Sequence, residues 1–241
     1  MSKEILITIP CLYGVEHTRE CIESVIHKKN VSLHLVDNGA EIAVKELLNH
    51  YKASYTNVIL IHNEVNIYVN PAWNQGIEYF LREKEFDYLI ILNSDMTMYE
   101  NWDLVLRKRL EVYPDEISMP TVINDRLFTD LVVDTEVIEG TTVYGGVNGA
   151  FILLNRKQAK IVFPIPSDIV VWFGDNYIFE LLRGFGYKTL VIPNLICFHY
   201  ISQNVQKVEG IGEIIEEDKI AWHEIVAPMM IEKIDNYYYS R

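Results

Sequence analysis

Apolar residues enter the chain as short unbroken runs that alternate with stretches of helical spacing. ILITIP (5–10), LHLVDNG (33–39), NVILIHN (57–63) and DYLIILNSD (87–95) read as strands. Between them, HTRECIESVIHKK carries Cys21, Ile22, Val25 and Ile26 at helical spacing. EIAVKELLNHY places Ile42, Leu47 and Leu48 on one side, and PAWNQGIEYFLREKE opens with Pro71 in a first helical turn. Four strand–helix alternations with short connections predict a parallel sheet covered by helices on both faces. Near-continuous apolar strands are what double coverage requires.

NWDLVLRKRLEVYP predicts a further helix, with Asn101 as its cap and Pro114 past its end. The pattern then loosens. ISMPTVI, LVVD and TTVYGG are short β-like pieces in a loop-rich stretch, and Gly145-Gly146 reads as a turn. GAFILLN (149–155) is a strand, DNYIFELLRGFGYKTLVIPN reads as helix, glycine turn and strand, and the acidic tail is helical. No repeat or linker divides the chain, so we expect one compact α/β domain with a nucleotide-binding layer. Residues 1–110 and 111–204 form its two halves, and 205–241 a C-terminal helical extension. That extension either pairs two chains, covers a cleft or is a solvated end.

Composition removes some classes of function. With a net charge of −13 over 241 residues, a cationic nucleic-acid footprint is not the default expectation, while a local basic groove stays open. Three cysteines, with no CxxC, make neither a disulfide framework nor a zinc site. Cys11 and Cys197, beside apolar strands, are expected to be buried thiols. No run approaches the roughly eighteen apolar residues of a membrane span, and the N-terminus is no signal peptide. A soluble protein of the reducing cytoplasm is the expectation.

Dinucleotide, P-loop, metalloprotease and serine-hydrolase motifs are absent. Polar residues collect instead at the carboxyl ends of the strands: Pro10 and Tyr13, Asp37-Asn38-Gly39, Asn63 and Asn66, and Asn93-Ser94-Asp95. One such residue is a turn; four sets along one edge describe a ligand cleft. Asp37 suits the imide N–H of uracil or thymine. Asp95 suits a divalent cation bridging a diphosphate.

The series ILITIPCLYG, LVDNG, NxxxxxPAWNQGI, YLIILNSD, GAFILLN, FGDN…GFGYK and CFHY resembles the family 2 glycosyltransferases of GT-A fold, over about residues 4–204. The resemblance implies a Rossmann-like layer with a mixed central sheet. It also implies metal-dependent, inverting transfer from a nucleotide-diphosphate sugar, UDP or dTDP favoured, to an acceptor hydroxyl. By resemblance, Pro10, Tyr13, Asp37, Asn66, Asn74 and Ser94 line the nucleotide site, with Ala72 and Gly76 in the same segment as Asn74. Asp95 and His199 hold Mn²⁺ or Mg²⁺, and Asp175 is the base. Asp175 also stands where it could cap a helix, which would lower its pKa.

The chain departs from the family pattern at four places. Asn93 stands for the first acid of the DxD motif, Tyr68 for a glycine, Trp73 for a frequent arginine and Gly174 for an acid. Trp172 and Phe173 are candidates to stack on an acceptor sugar or to pack as core. A sugar-1-phosphate nucleotidyltransferase and an inactive nucleotide-sugar or glycan binder remain alternatives. The acceptor is left open among glycan, lipid-linked glycan, small molecule, protein and modified nucleic-acid base, as is a homo-oligomer.

Overall fold

A computed structural model describes residues 3–123, 134–136, 139–142, 149–200 and 207–239. The stretches LVVD (except Asp134) and Gly145-Gly146 lie outside them. In chain order the elements begin β1 (Ile5–Cys11), α1 (Val15–Ile26), β2 (Val31–Asn38), α2 (Ile42–Ser54), β3 (Val58–Asn63), α3 (Val69–Arg82), β4 (Tyr88–Leu92), β5 (Met96–Met98) and α4 (Trp102–Val112). There follow β6 (Ile117–Ile123), β7 (Thr141–Thr142), β8 (Phe151–Asn155), α5 (Arg156–Val162), α6 (Gly174–Gly184), β9 (Thr189–His199), α7 (Ile211–Ala221) and α8 (Ala227–Tyr239). A π-helical turn over Trp222–Val226 joins the last two.

The main sheet runs β3-β2-β1-β4-β8. Its first four strands are parallel and β8 is antiparallel to β4, so the sheet is mixed. Strand alternation sorts the core into two layers. Ile5, Ile7, Ile9, Ile90 and Leu92 enter one, with α1, α2 and α4, whereas Leu6, Leu89 and Ile91 enter the other, with α3, α5 and α6. Helix α2 turns Val44, Leu47, Leu48 and Tyr51 inward, an i, i+3, i+4, i+7 face. Ile42, which the sequence places on that face, is 77% exposed at the first position of α2. Asn101 is the N-cap of α4, yet its side chain makes no capping bond.

A second sheet, absent from the sequence reading, has the order β5-β9-β6, with β7 also on β9. The β6–β9 register skips Pro193, Asn194 and Leu195. Pro193 has no N–H to give a ladder, so the strand bulges there.

Helix α3 sits directly on β1. A Cβ at Gly76 would lie 2.6 Å from the Cβ of Thr8, so only glycine allows this approach. Thr8 Oγ1 in turn bonds the buried His34 Nδ1 at 3.0 Å, and the His34 ring packs on Tyr79. His34 Nε2 has no partner among the described residues. The three cysteines are free and buried, and burial pushes their thiols up, away from reactivity.

The C-terminal extension is built into the second core layer through Val226 and Met230, with Trp222 and Ile234 against it. Its strongest tie is Asp218 of α7, 2% exposed. That carboxylate accepts the backbone N–H groups of Val170, Val171 and Trp172 at 2.8, 2.7 and 2.7 Å. Asn70 Nδ2 holds the same loop from the other side, donating to the carbonyls of Ile169 and Trp172. No helix among the described residues is long and apolar enough to cross a membrane.

Two predictions follow from this packing. Burial pulls His34 from 6.5 down to about 4, so the unfolded chain binds its proton first as pH falls. Its contribution is complete above pH 6.5 and is lost on acidification towards pH 4, by on the order of 3 kcal/mol. Urea unfolding between pH 7 and 4 should show that loss, and His34→Gln should flatten it. Asp218→Ala strands three N–H groups and should lower stability by roughly 2–3 kcal/mol, read as a shift in the urea midpoint, with Asp218→Asn in between.

Candidate active site

Strand β4 ends at Leu92, and the chain turns through Asn93-Ser94-Asp95 with Met96 N–H bonded to the Asn93 carbonyl at 3.1 Å. The turn hands the chain from the main sheet to the second one. There β5 pairs antiparallel with β9, Met96 opposite His199, and Tyr200 N–H bonds the Asp95 carbonyl at 3.0 Å. This register sets Asp95 Oδ1 3.5 Å from His199 Nε2, although the two residues are 104 apart in sequence. Both side chains are largely buried in the wall of one cavity. LIILNSD is thus a turn and also the delivery of a carboxylate.

The cavity measures about 260 Å³. Of the nine site residues that the resemblance implies, Pro10, Asn66, Ser94, Asp95, Asp175 and His199 line it together. Tyr13, Asp37 and Asn74 do not. Asn74 clamps Ile165 through both backbone groups, at 2.9 and 2.8 Å. Asp37 is 1% exposed, with Oδ1 accepting the Ala40 N–H at 2.8 Å and Oδ2 2.8 Å from His62 Nδ1. Tyr13 carries Lys207 Nζ 5.8 Å above its ring.

Asp175 occupies the first turn of α6, two residues past the N-cap Phe173. Its Oδ1 accepts from Asn176 N–H at 2.9 Å and its Oδ2 from Gly149 N–H at 3.1 Å. Both bonds lower its pKa, but burial outweighs them and the net shift is upward. The lowered pKa expected of a helix-start carboxylate is therefore reversed, and the reversal favours a base. Gly149 is required here, because a Cβ would meet Asp175 Oδ2 at 2.7 Å. The missing acid at Gly174 has a local reason as well: Asn70 fills that space, with its Cγ 2.6 Å from where a Cβ would stand.

Further residues line the cavity, some marked in the sequence and some not. Asn38 donates to Asn66 Oδ1 at 3.0 Å and to the Tyr68 carbonyl at 3.1 Å. Val208 and Ile211 of the extension complete the wall. Phe173, with φ 62, stacks on Trp222 at 5.3 Å, while Trp172 beside it is 47% exposed on the cavity rim. Asn38 is marked in the sequence by its place at a strand end, and Trp172 and Phe173 by their place beside Asp175; Val208 and Ile211 of the tail carry no signal.

Carboxylate and imidazole suit Mn²⁺, and the carboxylate alone suits Mg²⁺. Among the described residues no group of three or more His, Cys, Asp or Glu is placed to hold a metal. Asp95 and His199 make a partial donor set. It fits an ion that takes the rest of its shell from phosphate oxygens and water.

Known proteins share this architecture. GalNAc-T7, solved with UDP, GalNAc and Mn²⁺, matches with a TM-score of 0.63 at 13% identity, over 98% of this chain and 50% of that one. Residues 1–349 of S. aureus TarS match at 0.60 and 11%, over 90% and 70%. The mannosyltransferase PcManGT from Pyrobaculum calidifontis, in complex with GDP-Man and Mn²⁺, matches at 0.60 and 12%, over 98% and 74%. The chain thus spans half the length of the first of these, and the shared fold is GT-A. A comparison with curated proteins gave no match. The model of glycosyl transferase family 2 matches residues 7–165, from β1 through α5 and so well over half of the chain, and the protein belongs to that family.

Proposed function

We propose that the protein transfers a sugar from a nucleotide-diphosphate sugar to an acceptor hydroxyl, with Mn²⁺ or Mg²⁺ and with inversion at the anomeric carbon. The observation that carries this reading is the sharing of one cavity by the Asp95–His199 pair and Asp175. Asp95 and His199 would hold the ion, which supplies charge neutralisation to the departing diphosphate. Asp175, with its pKa raised by burial, accepts the proton of the attacking hydroxyl. It is the only carboxylate besides Asp95 among the described residues lining the cavity, which supports a single displacement by an activated acceptor.

A cavity of about 260 Å³ lies below the usual range of roughly 300–1,000 Å³ for a whole small-molecule site. It suits the sugar-diphosphate end of the donor, leaving the nucleoside along the strand edge towards Tyr13 and Asp37. Asp37 uses two of its roughly four lone-pair sites on Ala40 and His62. Its remaining acceptor capacity supports uracil or thymine as the base, reached when the half-exposed His62 turns aside.

Thermal unfolding with UDP, dTDP, GDP and CDP, with and without Mn²⁺, tests the donor site. UDP or dTDP at ~100 times its Kd should add about 2.7 kcal/mol, and Asp95→Ala should erase the part that depends on Mn²⁺. No stabilisation by any of the four would sink the reading.

For the base, Asp175→Asn should lower kcat by about 10²–10⁴-fold with little change in nucleotide affinity. In the wild type kcat/KM should fall as pH drops through the raised pKa of Asp175 and the base takes up its proton. Gly149→Ala should imitate Asp175→Asn by displacing the carboxylate. Full activity in Asp175→Asn would exclude it as the base.

A further inference from the structure

Tyr68 stands at the N-cap of α3 with φ 67 and ψ 177. Asn101 and Phe173 also have positive φ, but with ψ 11 and 0 they sit in the left-handed helical basin that side chains can enter. Tyr68 lies outside it, in a region essentially reserved for glycine. Its backbone is held there from both sides. Asn66 Oδ1 accepts its N–H at 2.8 Å, and its carbonyl accepts Asn38 Nδ2 at 3.1 Å and the Ala72 N–H at 3.3 Å. All of these bonds go to backbone atoms, so glycine would make the same turn without strain. What the tyrosine adds, at a position that lines the cavity, is a phenol ring.

The rest of that wall indicates what the ring meets. Tyr68 continues into Val69, Trp73, Trp172 and Phe173, a largely apolar and aromatic face, while the cavity's charged residues are Asp95 and Asp175, with His199. No lysine or arginine is among the described lining residues. A sugar with its own carboxylate would meet Asp175, with no lysine or arginine among the described lining residues to pair with it. Resting on the donor reading above, we propose that Tyr68 is a specificity residue for the donor sugar. Its ring occupies room that a glycine would leave open, so the site takes a neutral sugar without a bulky ring substituent.

The test measures dissociation constants for glucose, N-acetylglucosamine and glucuronate carried on whichever of UDP, dTDP, GDP and CDP binds the wild type. Each is expressed as a ratio to that nucleoside diphosphate alone. The wild type should prefer the glucose donor over both others by about tenfold or more. Tyr68→Gly should close the gap for the acetamido sugar and leave the glucuronate disfavoured, because Asp175 remains. Tyr68→Phe should keep the wild-type ranking.

Stability separates strain from loss of the ring. Tyr68→Gly should fold more favourably than Tyr68→Ala by about tenfold in the unfolding equilibrium. An unchanged ranking in Tyr68→Gly, or a wild type that prefers the acetamido or glucuronate donor, would overturn the assignment. Failure of all four nucleoside diphosphates to bind the wild type would instead remove the donor site itself.

Discussion

The pairing of a three-residue strand, β5, with the end of β9 is the contact on which the site depends. The main sheet carries Asp95 to its carboxyl edge, as parallel sheets do with ligand-binding residues. An aspartate alone is a turn. It becomes half of a carboxylate–imidazole pair, the candidate cation site, because Met96 pairs with His199, and because the Tyr200 N–H ties the register to the Asp95 carbonyl. A slip of one residue along β9 would turn His199 to the opposite face and dissolve the pair. The second sheet serves the chemistry in this sense: its register converts two distant residues into neighbours.

Asp175 is governed by a different balance. A carboxylate in the first turn of a helix, accepting two backbone N–H bonds, is stabilised in its charged form. Burial opposes that and prevails. The opposition is useful, because the bonds keep the carboxylate ionised and fixed in direction while desolvation restores the basicity they remove. Glycine at 149 is part of this arrangement, since it brings a backbone donor close without a side chain between.

How much of this was readable beforehand depends on the range of each interaction. The four strand–helix alternations were legible because hydrophobic period is local, and so was the row of polar residues at the strand ends. Elsewhere local pattern and tertiary position part company. Ile42 lies two residues before Val44, roughly 160° round the helix from the buried face at about 100° per residue, so the phase of α2 turns it to solvent. Asn74, expected at the nucleotide, bonds Ile165, 91 residues away, a contact that no local pattern announces. Asp218 gave no signal, because an aspartate in an acidic helix reads as solvated. Only the fold brings three successive N–H groups of the loop at 170–172 to meet it.

That clamp also changes the meaning of the missing acid at Gly174. In the sequence its absence is a weakness beside Asp175. In the fold, the place of a side chain there belongs to Asn70, whose amide holds the carbonyls of Ile169 and Trp172 while Asp218 holds the N–H groups of the same loop. An acid at 174 would collide with Asn70 and loosen the loop that leads into α6 and Asp175. The chain has given up a second carboxylate next to its candidate base and gained a loop pinned on both edges, with the C-terminal extension as one of the pins. On the function proposed above, an enzyme built this way relies on position more than on paired charge: a single carboxylate, desolvated and aimed by its neighbours, in place of two that share the task.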